Sequence, residues 1–153
     1  MKYQTPKSFQ VDHLHLPKGI YLSTETEHTS TFDIRLASPY HDKPFSPQCL
    51  HSLEHGFATI ARSMCPDIVQ VSGMACCTGL YITFEGHMQL ELVAMFVYNV
   101  ITEFLKLDKI PGATQAECGN YQFQNLEEAK NVLRRFLAVY PVPLQSINKY
   151  NYL

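Results

Sequence analysis

The feature that most constrains the fold is a long apolar-rich stretch between residues 90 and 107. A helix that crosses a bilayer needs about 20 predominantly apolar residues. This stretch is too polar for that, because it contains Glu91, Asn99, Glu103 and Lys106. It predicts a helix over residues 88–106 that is apolar on most sides and therefore deeply packed against the rest of the protein.

Shorter patterns predict the elements that pack against this helix. Apolar residues at spacings of three and four predict a helix over residues 48–64, after a proline-rich loop at 38–47. Asn125 and Glu128 resemble a capping box, which opens a last amphipathic helix ending near Leu137. Strands are predicted at residues 32–36, where alternation indicates a half-buried strand, and at 68–71 and 80–84. Together these predict an α+β fold, with an antiparallel or mixed sheet covered by helices on one face.

Composition narrows the class of protein. The 153 residues suit one domain, spanning 1–153, and the formal net charge of -2 without a basic cluster argues against nucleic-acid binding. The polar N-terminus does not resemble a signal peptide, and no membrane association is expected. Five cysteines, an odd number, favour reduced thiols and hence a cytoplasmic protein.

The predicted helix over residues 48–64 carries His51, Glu54 and His55 in an H-x-x-E-H pattern. Histidines four residues apart lie on the same side of a helix, about 5–6 Å apart, and are well placed to bind one metal ion. Glu54 lies beside them and can orient or deprotonate a group at an open metal position. The same pattern occurs in inverzincin metalloproteases, so it indicates a metal site without fixing a reaction.

Two cysteine segments lie further along the chain. Cys118 precedes Gly119 in an irregular segment and is either a third metal ligand or a small buried residue. Cys76 and Cys77 lie among small residues between two predicted strands, where a thiol is either reactive or incidental to a tight turn.

Several separated motifs resemble the S-ribosylhomocysteine lyase (LuxS) family in order and spacing. These are residues 51–55 (HSLEH), 74–79 (MACCTG) and 118–122 (CGNYQ), with further matches at 8–13, 32–35 and 126–130. The resemblance covers about residues 8–137. It implies an α+β homodimer that cleaves S-ribosylhomocysteine to homocysteine and 4,5-dihydroxy-2,3-pentanedione, the precursor of the quorum-sensing signal autoinducer-2.

The resemblance also implies the roles of individual residues. One divalent metal per subunit, natively Fe(II) with Zn or Co as substitutes, would be bound by His51, His55 and Cys118. Cys76 and Glu54 would be the two acid–base groups in two aldose–ketose isomerisations and a β-elimination. The substrate pocket would be lined by Ser8, His13, Arg35 and Arg62. Of these, Ser8 and His13 would come from the partner subunit.

Four positions depart from the pattern of the family. Gln70 replaces a usual aspartate near the substrate, and Gly73 and Ala75 replace a proline and a glycine in the turn that holds Cys76. Cys77, in place of a glutamine or arginine, adds a second thiol. Two alternatives remain. The H-x-x-E-H pattern allows a metallohydrolase, with Glu103, Glu117, Glu127 or Glu128 as its third ligand. Gln70 and the altered turn allow a diverged relative that binds metal or a sugar thioether without turnover.

Overall fold

Four strands form one antiparallel sheet in the computed structural model, which describes residues 3–140. The strands, in the spatial order β1-β2-β4-β3, are β1 (Gly19–Glu25), β2 (Thr29–Arg35), β3 (Ile68–Gly73) and β4 (Gly79–Glu85). The described α-helices are α1 (Pro47–Met64), α2 (Leu90–Phe104) and α3 (Leu126–Val139). The predicted α+β class is confirmed, and the sheet is antiparallel throughout. Residues 1–2 and 141–153 of the predicted domain span lie outside the described residues.

The helices cover one face of the sheet because that face is apolar. Phe32 and Ile82 are paired across β2 and β4, and both are fully buried in one cluster with residues of all three helices. From α1, Leu53 and Phe57 enter the same cluster. Each fully buried side chain of this size contributes about 1.5–3 kcal/mol to the stability of the fold, because its apolar surface is removed from water. This core therefore fixes α1 against the sheet.

Helix α1 begins where its sequence provides a cap. Ser46 is the N-cap residue, and its hydroxyl accepts a hydrogen bond from the Cys49 backbone N–H at 3.1 Å. Pro47 occupies the first position, where a missing N–H costs nothing. The side of α1 away from the core is half-buried at His51 and His55, so the packing of the helix leaves both rings accessible.

Helix α2 is less deeply packed than its composition predicts. One side is buried, through Val93, Val97 and Phe104, whereas Leu92, at 53% exposure, and Met95 face outward. The predicted deep packing therefore holds for one side of the helix and not for most sides, because among the elements of residues 3–140 its extensive contacts are with α1, α3 and the edge strand β1. Within residues 3–140, no helix combines the length and apolarity needed to cross a membrane.

Strand β2 also differs from its prediction. The alternation of apolar and polar residues predicts a half-buried strand, but Asp33 and Arg35 are almost completely buried as well. They are paired with each other through a hydrogen bond from Arg35 Nη2 to Asp33 Oδ2. A buried charge is tolerated when it is paired in this way, so alternation alone overestimated the exposure of this strand.

Candidate metal centre

Three donor side chains converge at the accessible side of α1. His51 and His55 lie one turn apart on the helix, and Cys118 approaches them from the segment between α2 and α3. Their ligand atoms all lie within 4.8 Å of one another, and Cys118 Sγ is 3.4 Å from His51 Nε2. Two imidazole nitrogens and one thiolate form a donor set that binds Zn(II) or Fe(II) and leaves a coordination position open.

Each histidine ring is oriented by a backbone carbonyl. His51 Nδ1 lies 2.8 Å from the Phe123 carbonyl oxygen, and His55 Nδ1 lies 3.0 Å from that of Pro111. Because a carbonyl only accepts hydrogen bonds, Nδ1 of each ring carries the proton and donates it. Nε2 of each ring is then the unprotonated nitrogen that a metal requires. The residues present therefore fit a metal ion.

The segment that carries Cys118 is joined to α1 by hydrogen bonds. Ser52, which is fully buried, donates from its hydroxyl to Gln124 Oε1 at 2.8 Å and accepts from the Asn125 backbone N–H at 2.7 Å. Gly112 has a φ of +67°, and a Cβ there would lie 3.3 Å from His55 Nδ1. The segment is thus shaped to approach the histidines closely from two sides.

The three donors line an open cleft of about 470 Å³. Glu54 and Arg62 line it from α1, and Glu117 lines it from the segment that carries Cys118. Arg62 Nη2 donates to the Val69 carbonyl at 3.1 Å, and Glu117 accepts from the Thr114 hydroxyl. The cleft therefore presents carboxylates and a guanidinium beside the donor group, as a polar substrate requires.

Cys76 lies on the turn between β3 and β4, outside the residues that line this cleft. Its Sγ is 3.0 Å from Thr78 Oγ1 and 3.9 Å from Arg35 Nη1. Arg35 Nη1 also donates to Thr78 Oγ1 at 2.6 Å. Cys76 and Arg35, two residues predicted separately for the site, are thus brought together, next to the buried ion pair of Arg35 with Asp33.

Ser8 and His13 lie away from the cleft of their own chain. Ser8 is in a short 3₁₀ helix, Lys7–Gln10, and lines a separate cavity with residues of β1, β2 and β4. His13 Nδ1 lies 2.8 Å from the Val11 carbonyl oxygen. Within residues 3–140, neither residue is among those lining the metal-donor cleft.

One of the departures from the family pattern, Gly73, has a local structural reason. A Cβ at Gly73 would lie 2.8 Å from Leu50 Cγ, so Leu50 of α1 fills the space that a side chain would need. Cys77 has a φ of +55°, and burial, followed by the neighbouring Cys76, raises the pKa of its thiol. Gln70 is exposed on β3, and Ala75 is exposed on the turn.

Some contributors to the site were not assigned from the sequence. Thr78 was part of a matched motif, yet its contact with Cys76 follows from the turn geometry alone. The carbonyls of Phe123 and Pro111 have no sequence signal, because every residue carries one. Gln124 lies next to His51. In the sequence, only its position six residues after Cys118 could suggest that it belongs to the site.

Comparison with known proteins identifies the family of this chain. The sequence profile of the S-ribosylhomocysteinase (LuxS) family matches residues 7–142. The S-ribosylhomocysteine lyase of Phocaeicola vulgatus is 32% identical over 135 residues, which are 83% of this chain and 84% of that protein. That of Finegoldia magna is 30% identical over 152 residues, covering 95% of this chain and 94% of the relative. That of Borreliella burgdorferi is 32% identical over 140 residues, covering 86% and 89%. The chain therefore belongs to the S-ribosylhomocysteinase (LuxS) family.

Proposed function

We propose that this protein is a metal-dependent S-ribosylhomocysteine lyase, which releases homocysteine and 4,5-dihydroxy-2,3-pentanedione, the autoinducer-2 precursor. The observation that carries this proposal is the convergence of His51, His55 and Cys118 within 4.8 Å in a chain of this family. The reduced-thiol composition supports a cytoplasmic location, where such a thiolate ligand persists.

The metal would be held by Nε2 of His51, Nε2 of His55 and Sγ of Cys118. We infer Fe(II) as the natural ion, with Zn(II) or Co(II) able to replace it at the same donor set. A divalent ion at this site supplies a Lewis acid for the carbonyl and hydroxyl oxygens of the sugar.

The side chains of this protein supply the proton transfers. Expulsion of the homocysteine sulfur requires a carbonyl at the carbon next to the one that loses its proton, so two aldose–ketose shifts precede β-elimination. Each shift removes a proton from one carbon and returns one to a neighbouring position. Glu54, beside the donors in the cleft, and Cys76, beside Arg35, are the two groups proposed to carry these protons. Arg62 and Arg35 would bind the substrate.

We further infer a homodimer in which Ser8 and His13 of the partner subunit complete the site. Two observations support this inference. The short 3₁₀ helices of the N-terminal segment expose two large apolar side chains, Phe9, at 71%, and Leu14, at 60%, and burial of these side chains against a second subunit would be favourable. In their own chain, Ser8 and His13 do not line the cleft.

The test is release of homocysteine from S-ribosylhomocysteine by anaerobically purified protein reconstituted with Fe(II). The product is quantified after chromatographic separation, so that the protein thiols do not contribute. Wild-type protein should release homocysteine, Cys76→Ala should lose it, and Cys65→Ala, which removes a thiol at the distant end of α1, should retain it. Absence of release at full metal occupancy would overturn the proposal in favour of a binding-only relative.

The metallohydrolase alternative has weaker support from the geometry. Of its candidate third ligands, Glu128 accepts hydrogen bonds from Ser46 and Glu103 is paired with Lys106. Glu117 lines the cleft but accepts from Thr114. The metal-donor group found in residues 3–140 contains Cys118 and no carboxylate. No observation favours this alternative over the lyase.

A further inference from the structure

The hydroxyl of Thr78 lies between Arg35 and the sulfur of Cys76. Thr78 is buried, whereas Cys76 is exposed. Its Oγ1 is 2.6 Å from Arg35 Nη1 and 3.0 Å from Cys76 Sγ, and the direct distance from Arg35 Nη1 to that sulfur is 3.9 Å. The hydroxyl is therefore closer to the sulfur than this guanidinium nitrogen is.

The backbone fixes the hydroxyl in this position. The carbonyl of Thr78 accepts hydrogen bonds from the N–H groups of Leu36 and Ala37, both at 2.9 Å. The Cys77 N–H donates to the Met74 carbonyl at 2.8 Å and closes the turn in front of Thr78. Thr78 is thus tied both to the end of β2 and to the turn that carries Cys76.

The chemistry of the donors sets the direction of the hydrogen bonds. A guanidinium nitrogen can only donate, so Arg35 donates to Thr78 Oγ1. The single hydroxyl proton of Thr78 is then available to Cys76. A hydroxyl that accepts from a cation is polarised, which makes it a better donor than the weakly donating S–H group. When Cys76 is deprotonated, its sulfur can only accept, so the Thr78 proton then points to the sulfur and stabilises its negative charge.

We propose that Thr78 is a positioning residue, which relays the charge of Arg35 to Cys76 and keeps that sulfur reactive and correctly aimed. This inference rests on the proposed role of Cys76 as an acid–base group. The relay begins at Asp33, which is buried and accepts from Arg35 Nη2, so the guanidinium is held on the side of the sheet where the turn lies. The Thr78 proton remains on its oxygen throughout.

The test is the rate at which iodoacetamide alkylates Cys76 at neutral pH, followed in each variant by peptide mass spectrometry with fragmentation to separate Cys76 from Cys77. Thr78→Val keeps the shape of the side chain and removes the hydroxyl. Loss of one hydrogen bond to a charged atom should slow alkylation about tenfold or more. Thr78→Ser keeps a hydroxyl and should restore the rate to within about threefold of wild type, since the same bond can form.

Cys49 serves as the internal control for folding. It is fully buried, and burial, with a smaller contribution from Glu128, raises the pKa of its thiol to about 12. It is alkylated only if the chain opens. A second variant, Thr78→Ala, removes the same hydroxyl with less steric demand.

Three results would overturn the inference. One is alkylation of Cys76 at the wild-type rate in the Thr78→Val or Thr78→Ala variant while Cys49 stays protected. Another is a Thr78→Ser variant as slow as Thr78→Val. The third is loss of Cys49 protection in both Thr78→Val and Thr78→Ala, which would assign Thr78 a purely structural role.

Alkylation needs no substrate, so this test is independent of the proposed lyase activity. A wild-type protein that releases no homocysteine, yet shows the Thr78 effect on alkylation, would refute the function and leave the relay intact. Normal homocysteine release with no effect of Thr78 on alkylation would refute the relay and leave the function intact. If both hold, Thr78→Val should also lower kcat for homocysteine release, because Thr78 acts on the sulfur of Cys76; a rise in KM would report the loss of its contact with Arg35, which is proposed to bind the substrate.

Discussion

At the scale of residues, Cys118 separates the lyase from a metallohydrolase. Its sulfur lies 3.4 Å from His51 Nε2, and it is the third member of the donor group. Removing a side chain that only hydrogen-bonds to a metal ligand lowers metal affinity by up to ~100-fold. Cys118 is itself a proposed ligand, so Cys118→Ala should lower metal affinity by more than that. The measurement is metal content by mass spectrometry after dialysis against a weak chelator.

The matched control is Cys65→Ala, which removes a half-buried thiol just beyond the last residue of α1. It should bind metal as the wild type does. Retention of a full equivalent of metal by Cys118→Ala would show that another side chain completes the site, as a hydrolase with a glutamate ligand requires.

The sequence predicted those site residues whose positions follow from helical periodicity. His51, Glu54 and His55 are separated by three and four residues on a helix whose apolar spacing was clear, so their common side was predictable. The position of Cys118 depends on a segment of irregular backbone, and Thr78 acts through a contact with a residue 43 positions away. Local pattern contains no information on such distances, and only the family resemblance indicated that Cys118 reaches the site.

At the scale of elements, α1 and α2 are packed closely at Gly56. A Cβ there would lie 2.1 Å from Phe104 Cε2. In an exposed helix, Gly→Ala stabilises by about 0.5–1 kcal/mol. Here the overpacking should dominate, and Gly56→Ala should destabilise the protein by about 1–3 kcal/mol, measured by urea unfolding.

A double-mutant cycle with Phe104→Leu checks the cause. The smaller side chain leaves space for the new methyl group, so Gly56→Ala should cost less in that background than in the wild type. Equal costs in both backgrounds would show that contact with Phe104 is not the reason for the effect.

Helices α1 and α3 are joined through Glu128. Its carboxylate accepts hydrogen bonds from the Ser46 backbone N–H and hydroxyl, at the N-terminus of α1. Burial alone would raise the pKa of Glu128, but these hydrogen bonds and nearby Arg135 together outweigh it and hold the pKa below its ordinary value of 4.5. The ionised form is therefore the one that stabilises the fold.

This direction determines the pH dependence. Glu128 makes its full contribution to the stability of the fold above about pH 4.5, which is the pKa of its carboxyl in the unfolded chain. This contribution is lost as the pH falls through the lower pKa that the carboxyl has in the folded protein. Glu128→Gln should thus lower Tm at pH 7, and the difference from wild type should shrink below pH 4.5. Glu127→Gln, on the exposed neighbouring residue, should show neither effect in the same series of melting curves. A constant difference at all pH values would contradict the assignment.

The elements themselves were predicted unevenly, for physical reasons. Helices α1 and α3 have a single buried side, so their periodicity matches their packing. Strand β1 was missed because its pairing with β2 shifts register between Leu22 and Thr24, which breaks the alternation. In addition, Tyr21 is buried on the outer face by Val11 and Leu16 of the N-terminal segment, so both faces of the strand are covered at that point.

At the scale of the whole molecule, the two faces of the sheet differ. The helices bury one face, whereas the outer face bears a cavity of about 440 Å³ lined by polar residues of the strands and by Ser8. Phe9 and Leu14 are exposed on the segment that borders this face. Burying these apolar side chains against a second subunit would remove them from water and would place the neighbouring His13 at the interface.

Mixing two inactive variants tests whether the site is shared. If His13 acts across the interface, a dimer of one His13→Ala chain and one Glu54→Gln chain contains one intact site, formed by Glu54 of the first chain and His13 of the second. Random reassociation makes half of the dimers mixed, so about a quarter of the wild-type homocysteine release should return. The control pair is Glu54→Gln with His55→Ala, whose positions are adjacent on α1 of one chain. In that pair both sites of a mixed dimer stay defective, and no activity should return. Absence of recovery in the first mixture would show that His13 serves only its own chain.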